Sequence, residues 1–204
     1  MKYTAALFML TVPALAILGE EDLLMTMDSA FRDSPDVLSI TTDDGGTVTF
    51  RNSSQTKEGL GDAYYYLIDY HPEVNFWTVE MHGYEWMEWY AVSGANGNTT
   101  TTIGPPVPSP DGSRLLCAME DITAGFIYNG IQIWNINEDQ TLTLEFEDLE
   151  VPWGPLNAEW ADESTVVFQK FAYDWDTYEE YTTPGKLKLD EQGIWRPLFP
   201  EDWE

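Results

Sequence analysis

The chain has 204 residues and a mass of 23.2 kDa, the size of one medium domain. Nine Lys and Arg face 36 Asp and Glu, giving a formal net charge of −27. That balance excludes a phosphate-tracking nucleic-acid surface and docking onto anionic lipid, because both need clustered cations. A content of 43% hydrophobic and 14% aromatic residues excludes a disordered chain.

The first elements in chain order point to export. Residues 1–16 read as a secretory signal, with Lys2 as the positive start, an apolar run from Ala5 to Leu15, and Ala14-Leu15-Ala16 as an A-x-A cleavage site. The apolar stretch from Ala5 to Leu18 is shorter than a bilayer span of about 20 residues, and no later segment is long and apolar enough to cross. The only cysteine, Cys117, forms no internal disulfide and reads as a small buried residue. A periplasmic or extracellular bacterial protein is the expectation. Residues 17–36 are expected to form a short helix or arm, with Leu23, Leu24, Met27 and Phe31 at helical spacing between Glu20 and Asp33 and a stop before Pro35.

Residues 37–204 read as a single all-β domain. Period-two alternation places Val48 and Phe50 on one strand face, and Trp77, Val79 and Met81 on another opposite Thr78, Glu80 and His82. Leu142, Leu144 and Phe146 are likewise expected on one face, and Lys186–Leu189 alternates on a smaller scale. Asp43-Asp44-Gly45-Gly46, Gly94-Ala95-Asn96-Gly97-Asn98 and Asn137-Glu138-Asp139-Gln140 are the turns between strands. Residues 105–110, rich in proline, are a short extended stretch and not a domain linker.

Three blocks recur, each a strand, an irregular excursion, a second strand, a polar turn and a third strand, beginning near Phe76, Leu115 and Val166, at spacings of 39 and 51 residues. Periods near 40–50 with several strands per unit belong to propeller blades. Ser109-Pro110-Asp111-Gly112-Ser113-Arg114-Leu115-Leu116 resembles the S-P-D-G turn that enters a strand in WD40-like and TolB-like β-propeller repeats. Gly130-Ile131-Gln132-Ile133-Trp134 resembles the later strand of those repeats, and Trp160-Ala161-Asp162-Glu163-Ser164-Thr165 a degenerate entry to the next. With Trp153-Gly154-Pro155, the chain also resembles small secreted bacterial proteins of no assigned function. The resemblance implies an antiparallel β-meander, a partial or small irregular propeller, with a β-sandwich as the alternative. It implies no activity.

Chemistry-bearing patterns are sparse. His71 and His82 stand outside metal-ligand spacings, and Glu80 with His82 shares a strand face as a solvated pair would. Glu85 and Glu88 beside Trp86 and Trp89 are the best candidates for sugar binding, or for a glycosidase carboxylate pair. Asp174, Asp176, Glu179 and Glu180 open like a calcium loop, but Glu179 and Gly185 break the EF-hand pattern, leaving a looser oxygen-ligand calcium site. Between Glu138 and Glu180 there are 13 acids and one cation, Lys170. The leading expectation is an exported, non-enzymatic binding or scaffold domain for a protein or saccharide ligand. The alternatives are a carbohydrate-active enzyme and an acidic protein that binds divalent cations.

Overall fold

The computed structural model describes residues 19–53, 62–149, 151–174, 176–177 and 179–202, so the signal at 1–16 lies outside the described residues. Helix α1 (Glu20–Thr26) is short, about two turns, and buries only Leu23. The helix predicted to Asp33 ends seven residues early. Met27 turns extended (φ −117°, ψ 102°), and Ala30–Ser34 becomes strand β1, with Ala30 opposite Ile40 and Phe31 opposite Ser39. Ladder pairing along a whole strand outweighs the small helical preference of a short segment. Pro35 therefore sits in the hairpin turn before strand β2 (Val37–Thr41), and β3 (Thr47–Arg51) completes a three-stranded sheet.

Three four-stranded antiparallel sheets follow, each laid down in chain order. The second sheet is β4 (Tyr64–His71), β5 (Phe76–His82), β6 (Met87–Ser93) and β7 (Thr99–Thr102). The third is β8 (Pro106–Pro108), β9 (Arg114–Met119), β10 (Gly130–Ile136) and β11 (Leu142–Asp148). The fourth is β12 (Gly154–Asp162), β13 (Thr165–Asp174), β14 (Glu179–Leu189) and β15 (Trp195–Leu198). The repeat seen in the sequence is the central strand pair of each sheet: β5–β6, β9–β10 and β13–β14. Prolines 106, 108 and 197 lie on the edge strands β8 and β15, where a missing N–H costs least.

Hydrophobic clusters bind consecutive sheets. Leu38, Ile40 and Phe50 pack with Leu67, Trp77 and Val79 between the first and second sheets. Val74, Phe76 and Ala91 meet Leu115 between the second and third. Leu116, Ile131 and Ile133 meet Val166, Phe168 and Leu187 between the third and fourth. No cluster of described residues joins the fourth sheet to the first. The fold is an all-β antiparallel meander of blade-like sheets in open series, compatible with a partial propeller. Three successive sheet interfaces replace the single one of a two-sheet sandwich.

This stacking corrects two strand readings. β5 is covered on both faces, so Thr78, expected on a polar face, is only 1% exposed. On β11 the register shifts between Ile133 and Trp134, which face Phe146 and Leu144 respectively. The bulge splits the expected apolar face: Phe146 packs toward the fourth sheet, Leu142 toward the second, and Leu144 is exposed.

Candidate functional site

The S-P-D-G segment is a structural turn between β8 and β9. The Asp111 carboxylate accepts from Ser109 Oγ at 2.6 Å and from the Ser113 amide at 3.0 Å, and Gly112 takes the left-handed φ of 70° that the turn needs. In the degenerate copy between β12 and β13, Asp162 performs the same task by accepting from the Ser164 amide at 2.8 Å. Thus Asp162 takes the role of the turn aspartate, although it stands where the S-P-D-G pattern has its proline.

Glu85, Trp86, Glu88 and Trp89 occupy the β5–β6 hairpin but do not form one constellation. Glu85 is exposed on the turn with φ 61°. Trp86 lies so closely over Gly83 that a Cβ there would fall 1.8 Å from its Nε1, and this indole N–H is buried without a partner among the described residues. Glu88 accepts from the Tyr90 hydroxyl at 2.8 Å. Burial, then that carboxylate, pushes the Tyr90 phenol well above its ordinary value. Trp89 is 3% exposed and donates to Glu80 Oε2 at 2.8 Å. Adjacent on one strand, Glu88 and Trp89 point to opposite faces of the sheet.

Glu80 is doubly engaged, since its other oxygen pairs with His82 Nε2, whose ring also meets Tyr66 edge-on at 5.2 Å. His71 lies 4.0 Å from both Asp69 and Glu73. Among the acidic candidates for calcium, Asp174 spends Oδ1 on the amides of Asp176 and Thr177, capping the β13–β14 hairpin. Glu179 and Glu180 begin β14, opposite Asp174 and Tyr173. Among the described residues, no group of three or more His, Cys, Asp or Glu could hold a metal ion. Burial pushes the Cys117 thiol up to about 12, so it stays protonated at neutral pH.

The concave surface lies beside this hairpin, and half of it was missed in the sequence. A hollow of about 310 Å³ is lined by His82, Gly83, Glu85, Trp86, Met87, Asp121, Phe126 and Ile127. A second, of about 230 Å³, is lined by Met87, Glu88, Thr101, Thr102, Ile103, Tyr128, Gln132, Glu147 and Leu149, so Met87 lines both. The 120–129 excursion between β9 and β10 walls both hollows and is a built loop. The Asp121 carboxylate accepts from the Phe126 and Ile127 amides at 2.6 and 2.7 Å, while Asn129 Nδ2 donates to the Trp153 carbonyl at 2.6 Å. Phe126 and Tyr128 are left 56% and 67% exposed, and Tyr84 on the facing hairpin 74%. Phe-Ile-Tyr within a turn-rich excursion was the available signal, because apolar rings there have no strand face to fill.

In the second hollow, Gln132 is 6% exposed and engaged at both ends of its amide. Its amide nitrogen donates to Glu147 at 2.7 Å, and its oxygen accepts from the Ile103 amide and Trp134 Nε1, each at 3.2 Å. The neighbouring Asp148 carboxyl is raised above its ordinary value by burial.

No protein-family model, no curated protein and no solved structure matches this chain.

Proposed function

We propose that the protein is an exported, non-enzymatic binding domain of propeller-like build, with its ligand site in the paired hollow between the β5–β6 hairpin and the 120–129 loop. The observation that carries this reading is the concavity itself: two adjoining hollows, lined by the exposed rings of Phe126 and Tyr128, on a loop pinned by Asp121 and Asn129. A pinned loop presents its rings at little ordering cost on binding. Binding rather than turnover is supported by the state of the carboxylate pair: Glu88 is tied to the Tyr90 hydroxyl, while Glu85 stands exposed on the turn.

Export rests on the residue 1–16 pattern, and the propeller kinship on the S-P-D-G turn and the serial sheets. Among the described residues no helix is long and apolar enough to cross a membrane. A saccharide ligand is the second reading, favoured by the exposed rings, which offer flat faces for sugar stacking. The test pairs a ligand-binding screen with a broad ester and glycoside hydrolysis panel. Binding lost in Phe126→Ala, with no turnover, is the expected result. Turnover abolished by Glu85→Gln or Glu88→Gln would replace this reading with an enzyme.

A further inference from the structure

We infer that the paired hollow binds a linear aliphatic polyamine, an inference that rests on the cleft being a ligand site. The first argument is electrostatic. Both walls come from segments without a single Lys or Arg: there is none from residue 58 to 113 and none from 115 to 169. Arg114, between those stretches, is already committed to Glu145 at 2.7 Å. Carboxylates, by contrast, recur along the cleft: Glu85 and Asp121 in the first hollow, Glu88 and Glu147 in the second, and Asp148 beside it. These carboxylates repel a carboxylate or phosphate ligand and draw in a polycation.

The second argument is hydrogen-bonding capacity. One N–H of the Gln132 amide donates to Glu147, which fixes that carboxylate and leaves its other oxygen as an acceptor. The Asp148 carboxylate has no hydrogen-bond or ion-pair partner among the described residues, and burial penalises its charge, a penalty an ammonium group would relieve. The polar half of the cleft is therefore rich in acceptors, the complement of ammonium groups, which only donate.

The third argument is shape and apolar character. The first hollow is largely apolar, with Trp86, Met87, Phe126 and Ile127, and it adjoins the acidic one through Met87. Volumes of about 310 and 230 Å³ suit a small molecule. A chain of methylene runs punctuated by ammonium groups matches this alternation: methylenes against Met87 and Ile127, cations on the ring faces of Phe126 and Tyr128 and on the carboxylates.

Calorimetric titration of the full chain with spermidine tests the inference, at low salt and at about 150 mM NaCl, where the screening length is about 8 Å. One saturable site surviving the higher salt is expected. Asp148→Asn and Phe126→Ala should each weaken binding at least about tenfold with melting temperatures close to that of the parent. Asp176→Asn, on the exposed β13–β14 hairpin outside the cleft lining, should change it less than about twofold. Equal weakening by Asp176→Asn, complete loss in salt, or displacement by magnesium at matched charge would mean diffuse counterion association and overturn the proposal. Tighter binding of a lysine-rich peptide than of spermidine would overturn it as well. A neutral oligosaccharide that binds where spermidine does not, and is lost in Phe126→Ala, would overturn the polyamine while leaving the binding-domain reading standing. Cleft substitutions without effect on any ligand would remove both.

Discussion

At the scale of single residues, the β5–β6 hairpin is governed by two unusual backbone positions. Glu85 holds a left-handed φ of 61°, which for a residue with a side chain costs about 1 kcal/mol. Glu85→Gly should therefore leave stability unchanged or raise it by up to about 1 kcal/mol in urea unfolding, the relief being partly offset by the greater freedom of glycine when unfolded. Gly83 lacks a Cβ because the Trp86 indole occupies that space. Since the clashing atoms belong to a side chain at a hairpin, Gly83→Ala should displace the ring rather than unfold the sheet. The expected outcome is a shifted tryptophan emission spectrum and weakened ligand binding, with a melting temperature within a few degrees of the parent. Unchanged emission and binding would show that the ring's placement over Gly83 is irrelevant to the cleft.

At the scale of elements, the buried clusters among the described residues join each sheet to its neighbours in series, so damage to one interface should stay local, as in repeat proteins. Leu116 is fully buried between the third and fourth sheets. Leu116→Ala should cost about 2–5 kcal/mol, and hydrogen exchange should quicken most in residues 106–198 while the first sheet keeps its protection. Uniform loss of protection would show a single cooperative unit instead. This nearest-neighbour logic also explains what the sequence could and could not disclose. Strands with local turn chemistry were legible: Gly45 at φ 86° with Thr42 and Asp44, Gly97 at φ 75°, and the Asp111 turn all follow from residues a few positions apart. Burial of Thr78 was not, since it depends on the third sheet covering β5 from 40 residues away. Nor was the β11 bulge, which inserts Glu145 where Arg114 and, at 3.0 Å, Trp195 Nε1 both reach it, a link among three strands that alternation cannot encode. The hairpin half of the cleft was visible as acids beside tryptophans. The loop half was hidden because its walls come together only through the stacking of the second and third sheets.

At the scale of the whole molecule, the charge of −27 and the turn aspartates act on stability in opposite directions. Hydrogen bonds hold Asp44, Asp139, Asp162, Asp174 and Asp190 below the usual carboxylate range: Thr42 and Thr141 hydroxyls for the first two, backbone amides for the others. At Asp111, burial pulls upward, but the bonds from Ser109 and Ser113 outweigh it. A carboxyl depressed in the folded state stabilises above its unfolded value and loses that contribution as the pH falls through the folded one. These turns therefore weaken below about pH 4. Asp148 behaves oppositely, since burial raises it and its charged form opposes folding. Mutual repulsion among 36 acids opposes folding while they are ionised. Stability should accordingly rise as the pH is lowered from 8, pass through a maximum near about pH 5, and fall steeply below about 4. Salt should raise the melting temperature more at pH 8 than at pH 5, because screening substitutes for the protonation that relieves repulsion. Asp44→Asn and Asp139→Asn together keep side chains that can cap a turn but no longer titrate, so they should flatten the acid limb without moving the alkaline one. A melting temperature that falls steadily from pH 8 to pH 5 would refute the account, because it would mean that ionised carboxylates stabilise this fold across the neutral range.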